Sequence, residues 1–134
     1  MRKAAFFLSG LGLLIFFGCA TTAPPLAQEE VQRIDYGTYP ENYEALIKSH
    51  FAKTLLESEA AQYRFGKPYA GFIQHGPLLG GKVLDAGYFA EVWLKAKDRS
   101  GGYLPEKHLA VLMKNGEVLL ELTEEEFNTI KRAQ

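Results

Sequence analysis

The N-terminal segment limits the possible folds of this chain most, because it has the pattern of a segment that is cleaved from the mature protein. Met1, Arg2 and Lys3 form a short basic start, and the 14 residues of 4–17 carry no charge and are rich in Phe, Leu and Ile. A basic start followed by about 7–15 apolar residues is typical of a secretory signal peptide. Because a membrane-spanning helix needs about 20 apolar residues, we predict a signal peptide over residues 1–18.

A single cysteine follows this stretch directly. Cys19 is the only cysteine among 134 residues, which excludes internal disulfides and cysteine-rich metal sites. The run Phe16-Phe17-Gly18-Cys19-Ala20 resembles the lipobox of bacterial lipoproteins, in which a small residue precedes a cysteine that becomes the acylated N-terminus; Phe16 stands where that family usually has Leu. The resemblance implies that Cys19 carries a diacylglycerol on its sulfur and a further acyl chain, such as palmitate, on its amine. Ala20 in place of Asp resembles the pattern that sorts such proteins to the outer membrane.

Acylation of Cys19 would make the N-terminus the membrane attachment, because two or more acyl chains hold a protein stably in a bilayer. We therefore expect a lipid-anchored protein at the periplasmic face of the outer membrane. Two other interpretations stay open. Gly18 and Ala20 also suit ordinary signal cleavage, which would release a soluble periplasmic protein, and an uncleaved segment would itself act as an anchor.

The charge of the chain excludes several classes of partner. There are 15 Lys and Arg against 16 Asp and Glu, and the signal segment contains only the basic Arg2 and Lys3, so the mature part has 13 against 16, a net charge of −3. A nucleic-acid-binding protein needs a clustered basic surface, and attraction to anionic membrane lipid also needs basic clusters. We therefore expect no nucleic-acid partner, and membrane contact through the N-terminal acyl chains.

The remaining chain is long enough for one ordinary domain preceded by a tether. Apart from one turn of helical spacing near residues 28–34, residues 19–35 lack sustained periodicity, and they contain Pro24-Pro25, so we predict a lipidated cysteine followed by a flexible tether. Residues 36–134 are predicted to form a single periplasmic α+β domain. Its expected architecture is an N-terminal amphipathic helix packed on a three- to four-stranded antiparallel sheet, with a short C-terminal helix.

Local patterns assign the elements of this domain. Apolar residues recur at helical spacing over residues 41–58. Asn115-Gly116 between two apolar runs is typical of a hairpin with a type I′ turn, and Thr123 with Glu126 is typical of a capping box that begins a short closing helix. Strand-like patterns cover residues 62–74, which Gly66 and Pro68 interrupt, residues 82–97, and the hairpin arms 109–113 and 117–122.

No motif in the chain indicates catalysis or a bound cofactor. Residues 76–82 match the start of a phosphate-binding loop, but Val83 stands where that motif needs the Ser or Thr that binds Mg²⁺. We therefore expect no nucleotide. His50, His75 and His108 lack the spacing of a recognised metal site, so we expect no metal, no cofactor and no catalytic residue.

The aromatic residues are more informative about partners. Tyr and Trp favour surfaces with one apolar and one wet side, and the strand-like pattern over residues 82–97 places Phe89 and Trp93 on one face. Phe89, Trp93 and Tyr103 are therefore the candidate partner surface. The alternative interpretation is ordinary packing in the core and at its rim.

A second resemblance covers roughly residues 35–122. The opening Tyr36-Gly-Thr-Tyr-Pro-Glu-Asn-Tyr-Glu44 is similar to the Y-G-x-Y-P-x-N-Y-E start of a family of small proteobacterial lipoproteins of unassigned function, with further similarity at residues 61–68 and 101–103. It implies an exported single-domain protein and no activity. We hypothesise a non-catalytic binding or accessory module with an envelope protein partner, such as a subunit or stabiliser of an envelope or secretion complex. The alternative is a periplasmic small-ligand binder or enzyme that uses a pocket between helix 41–58 and the sheet.

Overall fold

The computed structural model describes residues 24–76, 78 and 80–134, and these form an antiparallel sheet of six strands with short helices. In chain order the elements are α1 Gln28–Gln32, α2 Tyr43–Ala52, a 3₁₀ turn Ser58–Ala60, β1 Gln62–Phe65, β2 Tyr69–Gln74, β3 Val83–Lys95, β4 Lys107–Lys114, β5 Glu117–Thr123, a 3₁₀ helix Glu124–Thr129 and β6 Ile130–Arg132. The sheet order is β5-β4-β3-β2-β6, and β1 also pairs with β3. The predicted signal peptide and Cys19 lie outside the described residues.

The predicted α+β fold, with a helix on three or four strands, is wrong, because the described residues form mainly an antiparallel sheet of six strands. β3 is 13 residues long, which is enough for two strands to pair with it one after the other on the same edge. β2 pairs with its first half, from Val83 to Phe89, and β1 pairs with its second half, from Val92 to Lys95. The interruption predicted within residues 62–74 is the gap between these two strands.

The end of the chain also differs from the prediction. The expected closing helix is a 3₁₀ helix that ends at Thr129, and the next three residues form β6, which pairs with residues 71–73 of β2. Ile130 and Phe127 pack against an apolar cluster of the sheet, which favours an extended chain end over a longer helix. Three residues are too few to show a strand pattern in a sequence.

Helix α2 lies inside the predicted range 41–58 but ends at Ala52. Its apolar stripe buries Ile47 and Phe51 against the sheet. After the helix the chain turns, so that Leu55 packs against the same cluster whereas Leu56 is largely exposed. The helical spacing of these two leucines was therefore misleading, since only one of them contacts the core.

Apolar residues cover both faces of the sheet. The first cluster lies under α2 and consists of Ile47, Phe51, Ala90, Val92, Leu94, Val111 and Met113. The second cluster lies on the opposite face, against the 3₁₀ helix and β6, and consists of Phe89, Ala110, Leu112 and Leu122. Because successive residues of a strand point to opposite faces, β3 contributes to both clusters in turn. Strands that are covered on both faces do not reveal their exposed residues by alternation.

The predicted hairpin between β4 and β5 is confirmed. Asn115 and Gly116 have φ angles of 50° and 80°, the left-handed values that a type I′ turn requires. The turn pairs Met113 with Val118, but the register then shifts by one residue, so that Ala110 lies opposite Leu122. Because of this bulge, Val118 packs against the first cluster whereas Leu120 and Leu122 belong to the second, and the turn alone does not determine which residues of β5 are buried.

Acid is expected to weaken the start of the 3₁₀ helix. Glu126 Oε2 accepts hydrogen bonds from the backbone N–H of Thr123 at 2.8 Å and from its hydroxyl at 2.9 Å, and these bonds hold the pKa of the Glu126 carboxyl below its usual value. The carboxylate therefore contributes stability above about pH 4.3, the ordinary pKa of glutamate. This contribution is lost as the pH falls through the lower pKa of the folded state.

We therefore expect Glu126→Gln to lower the Tm slightly at neutral pH, and the difference from the wild type to shrink on acidification. Thermal melts of both proteins from neutral to acidic pH measure this difference. Glu125→Gln, which removes the same charge at the preceding position, is the control and should not reproduce the pH dependence. A difference that stays constant with pH would contradict the role of the Glu126 carboxylate.

Candidate functional site

A row of three side chains crosses the sheet on the face of the second cluster. Arg64 of β1 lies directly opposite Trp93 of β3, and Trp93 lies directly opposite His108 of β4. Directly opposite residues share a face and touch. The Arg64 guanidinium lies 4.2 Å from the centroid of the Trp93 ring, and the His108 ring stacks on the indole with 4.4 Å between centroids. The indole is thus held between a cation and an imidazole and is only partly exposed.

His108 connects this row to the 3₁₀ helix. Its Nε2 lies 3.0 Å from Glu91 Oε2, and its Nδ1 lies 3.7 Å from Glu124 Oε1. Its ring also meets the Phe127 ring edge-on, with 4.8 Å between centroids. These contacts fasten the 3₁₀ helix to the sheet. Across the described part of the chain, no three His, Cys, Asp or Glu side chains are grouped so that they could hold a metal ion.

Tyr103 lies at the same end of the sheet as Trp93. Its hydroxyl donates a hydrogen bond to the Ala60 carbonyl at 3.2 Å and accepts one from Gln62 Nε2 at 3.3 Å. Gln62 and Arg64 both belong to β1, so this strand links the two predicted surface residues. Tyr103 remains 46% exposed. The structure therefore places Trp93 and Tyr103 at the same end of the sheet, where each contacts a residue of β1.

Phe89 does not belong to this surface. Its ring is 0% exposed, packs in the second cluster and stacks on Tyr69 with 6.0 Å between centroids. The sequence pattern placed Phe89 on the same face as Trp93, but the 3₁₀ helix and β6 cover the part of that face that carries Phe89. Gln62 and Arg64 contact the other two residues instead. No signal in the sequence pointed to them, because their partners lie in distant strands and loops.

The other histidines and the glycine-rich loop make separate contacts. His50 Nε2 lies 2.6 Å from Glu121 Oε1 and ties α2 to β5. The backbone N–H of His75 donates to the Lys82 carbonyl at 2.8 Å, which closes the loop between β2 and β3. Because this loop joins two strands, it lacks the strand-to-helix context of a phosphate-binding loop.

Open space for a ligand borders both helices. Ile47 and Phe51 fill the centre of the interface between α2 and the sheet, but a depression of about 580 Å³ lies between α2, residues 58–61 and Tyr63 of β1. A second depression at the other rim of α2, near His50 and Val118, measures about 310 Å³. A cavity of about 640 Å³ lies between α1 and the sheet edge formed by β2 and β6. The sequence did not predict this location, because the cavity forms between the two ends of the domain.

Comparison with known proteins identifies no relative of this chain. No protein-family model matches the chain, and no curated protein or solved structure is similar to it. Of the helices that the structure describes, none has both the length and the apolar character needed to cross a bilayer. What the protein does has to follow from its own surface, its cavity and its N-terminal sequence.

Proposed function

We propose that this chain is a bacterial lipoprotein, anchored to the outer membrane through Cys19, whose domain is a non-catalytic module that binds a partner protein of the cell envelope. The lipobox-like run around Cys19 supports the anchor. The exposed end of the sheet around Tyr103 supports the partner contact. The observation that carries the proposal is that the tether and this surface lie at opposite ends of the sheet.

Because α1 lies inside the range 19–35 that was predicted as a tether, only the residues before α1 can act as one, and this shorter tether meets the sheet at the end of β2. The Pro24 carbonyl accepts a hydrogen bond from Gln74 Nε2 at 3.4 Å, and Pro24 follows Cys19 by five residues. Five extended residues reach about 17 Å at most. An acylated Cys19 would therefore keep this end of the sheet next to the bilayer surface.

The surface around Tyr103 lies at the far end. β3 starts at Val83, opposite the end of β2, and its 13 residues extend about 40 Å to Lys95. Tyr103 and Leu104 lie in the loop that follows, and both are exposed. Neighbouring exposed aromatic and aliphatic side chains, with the partly exposed Trp93 nearby, suit contact with another protein. The anchored domain thus presents this surface away from the membrane.

Photocrosslinking in living cells tests the partner surface. A photoreactive phenylalanine analogue at Tyr103 is expected to give one discrete adduct with an envelope protein, because this side chain is 46% exposed. Mass spectrometry identifies the adduct. The control is the same analogue at Tyr39, which is 41% exposed and lies on the opposite face, against Tyr88.

Arg64→Glu distinguishes a specific contact from random capture. Arg64 is exposed beside Trp93, so reversal of its charge should lower the yield of the Tyr103 adduct about tenfold, the equivalent of about 1.4 kcal/mol. Equal adducts at Tyr39 and Tyr103, or no adduct at Tyr103 in cells that contain the acylated protein, would contradict the proposed surface.

A further inference from the structure

The cavity between α1 and the sheet edge has an amphiphilic lining. Leu26, Val31 and Phe72 supply its apolar side, while Lys131, which lies opposite Phe72, supplies a cation. Four glutamine side chains complete the polar part, and no acidic residue of the described chain lines the cavity. Its ligand should therefore have both an apolar and a polar part.

An anionic group is the polar part that this lining favours. A cation with no Asp or Glu among the lining residues attracts negative charge, even though the mature chain is acidic overall. Lys131 makes no ion pair with any residue that the structure describes. The Arg132 guanidinium stacks instead on the Tyr69 ring, 3.9 Å from its centroid, on the face of the second cluster, so Lys131 is the cation at the polar end of the cavity.

The size of the cavity suits a single-chain molecule. Its volume of about 640 Å³ lies within the range of small-molecule sites, about 300–1,000 Å³. One acyl chain with a small head fits such a volume, whereas a two-chain phospholipid is larger. A single-chain lipid with an anionic head therefore matches the lining and the size together.

The cavity lies where the tether leaves the domain. Pro25 and Leu26 line it, and Pro25 follows Cys19 by six residues. Nearby, the loop between β2 and β3 carries Leu78, which is 100% exposed, and β3 begins with Leu84 at 53% exposure. Exposed leucines at an anchored end are apolar surface that a bilayer interface can cover. The cavity thus opens at the end of the domain that faces lipid.

We propose that this cavity binds a single-chain anionic lipid from the adjacent bilayer, with its head at Lys131 and its chain along Leu26, Val31 and Phe72. The proposal rests on the membrane anchor proposed above, since the anchor brings the cavity to the lipid. A bound lipid would join α1 and the sheet edge to the bilayer. The domain would then keep one orientation at the membrane instead of swinging on its tether.

Photolabelling of the full-length acylated protein tests the lipid site. The protein is reconstituted in vesicles of phosphatidylethanolamine and phosphatidylglycerol that contain a trace of lysophosphatidylglycerol with a diazirine in its acyl chain. Irradiation, proteolysis and mass spectrometry are expected to locate the label in residues 25–32 and 71–74, and not in α2. Unlabelled lysophosphatidylglycerol should compete the label away, whereas neutral monoacylglycerol should need about tenfold higher concentration.

Two matched pairs of variants separate the contributions of the head and the chain. Lys131→Glu should lower labelling about tenfold, whereas Lys53→Glu, the same exposed charge reversal after α2, should leave it unchanged. Val31→Glu should lower labelling as well, because it places a charge on the apolar side of the cavity. Leu56→Glu, on an exposed loop, should not. Circular dichroism reports whether each variant is folded.

The mass of the N-terminal peptide in the same sample keeps the two proposals apart. Acylated Cys19 without label in residues 25–32 and 71–74 would overturn the lipid site and leave the anchor standing. Unmodified Cys19 would overturn the anchor, while the vesicle experiment would still test the cavity.

Two other results would identify a different ligand for the cavity. Label that appears only in a Cys19→Ala protein would mean that the acyl chain of the anchor fills the cavity. Competition by inorganic phosphate would mean a plain anion site. Either of these two results would overturn a bilayer lipid as the ligand.

Discussion

Replacing Phe89 with alanine is expected to lower the free energy of unfolding by about 3–5 kcal/mol, the range for aromatic-to-alanine changes in protein cores. The ring is 0% exposed, packs with Leu112 and Leu122 and stacks on Tyr69. It also lies against Gly71 of the neighbouring strand, where a Cβ atom would come within 2.9 Å of the ring. Because Gly71 has no side chain that could move into the vacated space, a cavity would remain.

Urea denaturation of the wild type and of Phe89→Ala measures this difference. Leu119→Ala is the control, because Leu119 lies on an edge strand and is 46% exposed, and its truncation should change the free energy of unfolding by about 0.5 kcal/mol or less. A Phe89→Ala protein that kept its stability but lost the Tyr103 adduct would contradict the buried role of Phe89 and would indicate that this residue belongs to the partner surface.

The substitution with the largest expected effect on location is Cys19→Ser. The proposed anchor depends on one sulfur atom, and serine cannot form the thioether that carries the diacylglycerol. We expect incorporation of labelled palmitate to fall to background and the protein to leave the outer-membrane fraction. Without acyl chains, a mature chain of net charge −3 is not drawn to anionic lipid by its overall charge, and one bound lipid does not replace the two or more acyl chains that hold a protein stably in a bilayer.

Gly18→Ala is the matched control for this substitution. Alanine keeps a small residue before the cysteine, so processing and anchoring should both survive. Intact mass then distinguishes an acylated chain that begins at Cys19 from a shorter chain released by ordinary cleavage and from the uncleaved chain of 134 residues. A Cys19→Ser protein that kept its palmitate label, or its place in the outer membrane, would contradict the anchor.

Short sequence patterns correctly predicted the features of the domain that depend only on residues close together in the chain. The turn at Asn115-Gly116 needs only two residues of left-handed backbone, and it forms where the sequence indicates. Thr123 and Glu126 are three residues apart and make hydrogen bonds with each other, although the helix that they begin is a 3₁₀ helix. The apolar spacing over residues 41–58 located α2 but not its end, which depends on contacts with the sheet.

The candidate site was predictable only in part, because exposure depends on distant segments. Alternation along β3 put Phe89 and Trp93 on one face, and the strand pairing agrees, since Leu112 and His108 of β4 lie opposite them. Which of the two is exposed depends on the 3₁₀ helix and β6, which come much later in the chain and cover Phe89 alone. The contacts of Arg64 with the indole likewise exist only after β1 pairs with β3.

The sequence by itself thus determined the tight turn, the position of α2 and the faces of β3, because each depends on residues a few positions apart. It also carries the predicted signal segment and lipid site at Cys19. Only the tertiary structure decided that β3 holds two partners on one edge, that the chain end returns as β6, and that a cavity opens beneath α1. These features require segments that are many residues apart in the chain to pack together, and no local pattern in the sequence encodes that packing.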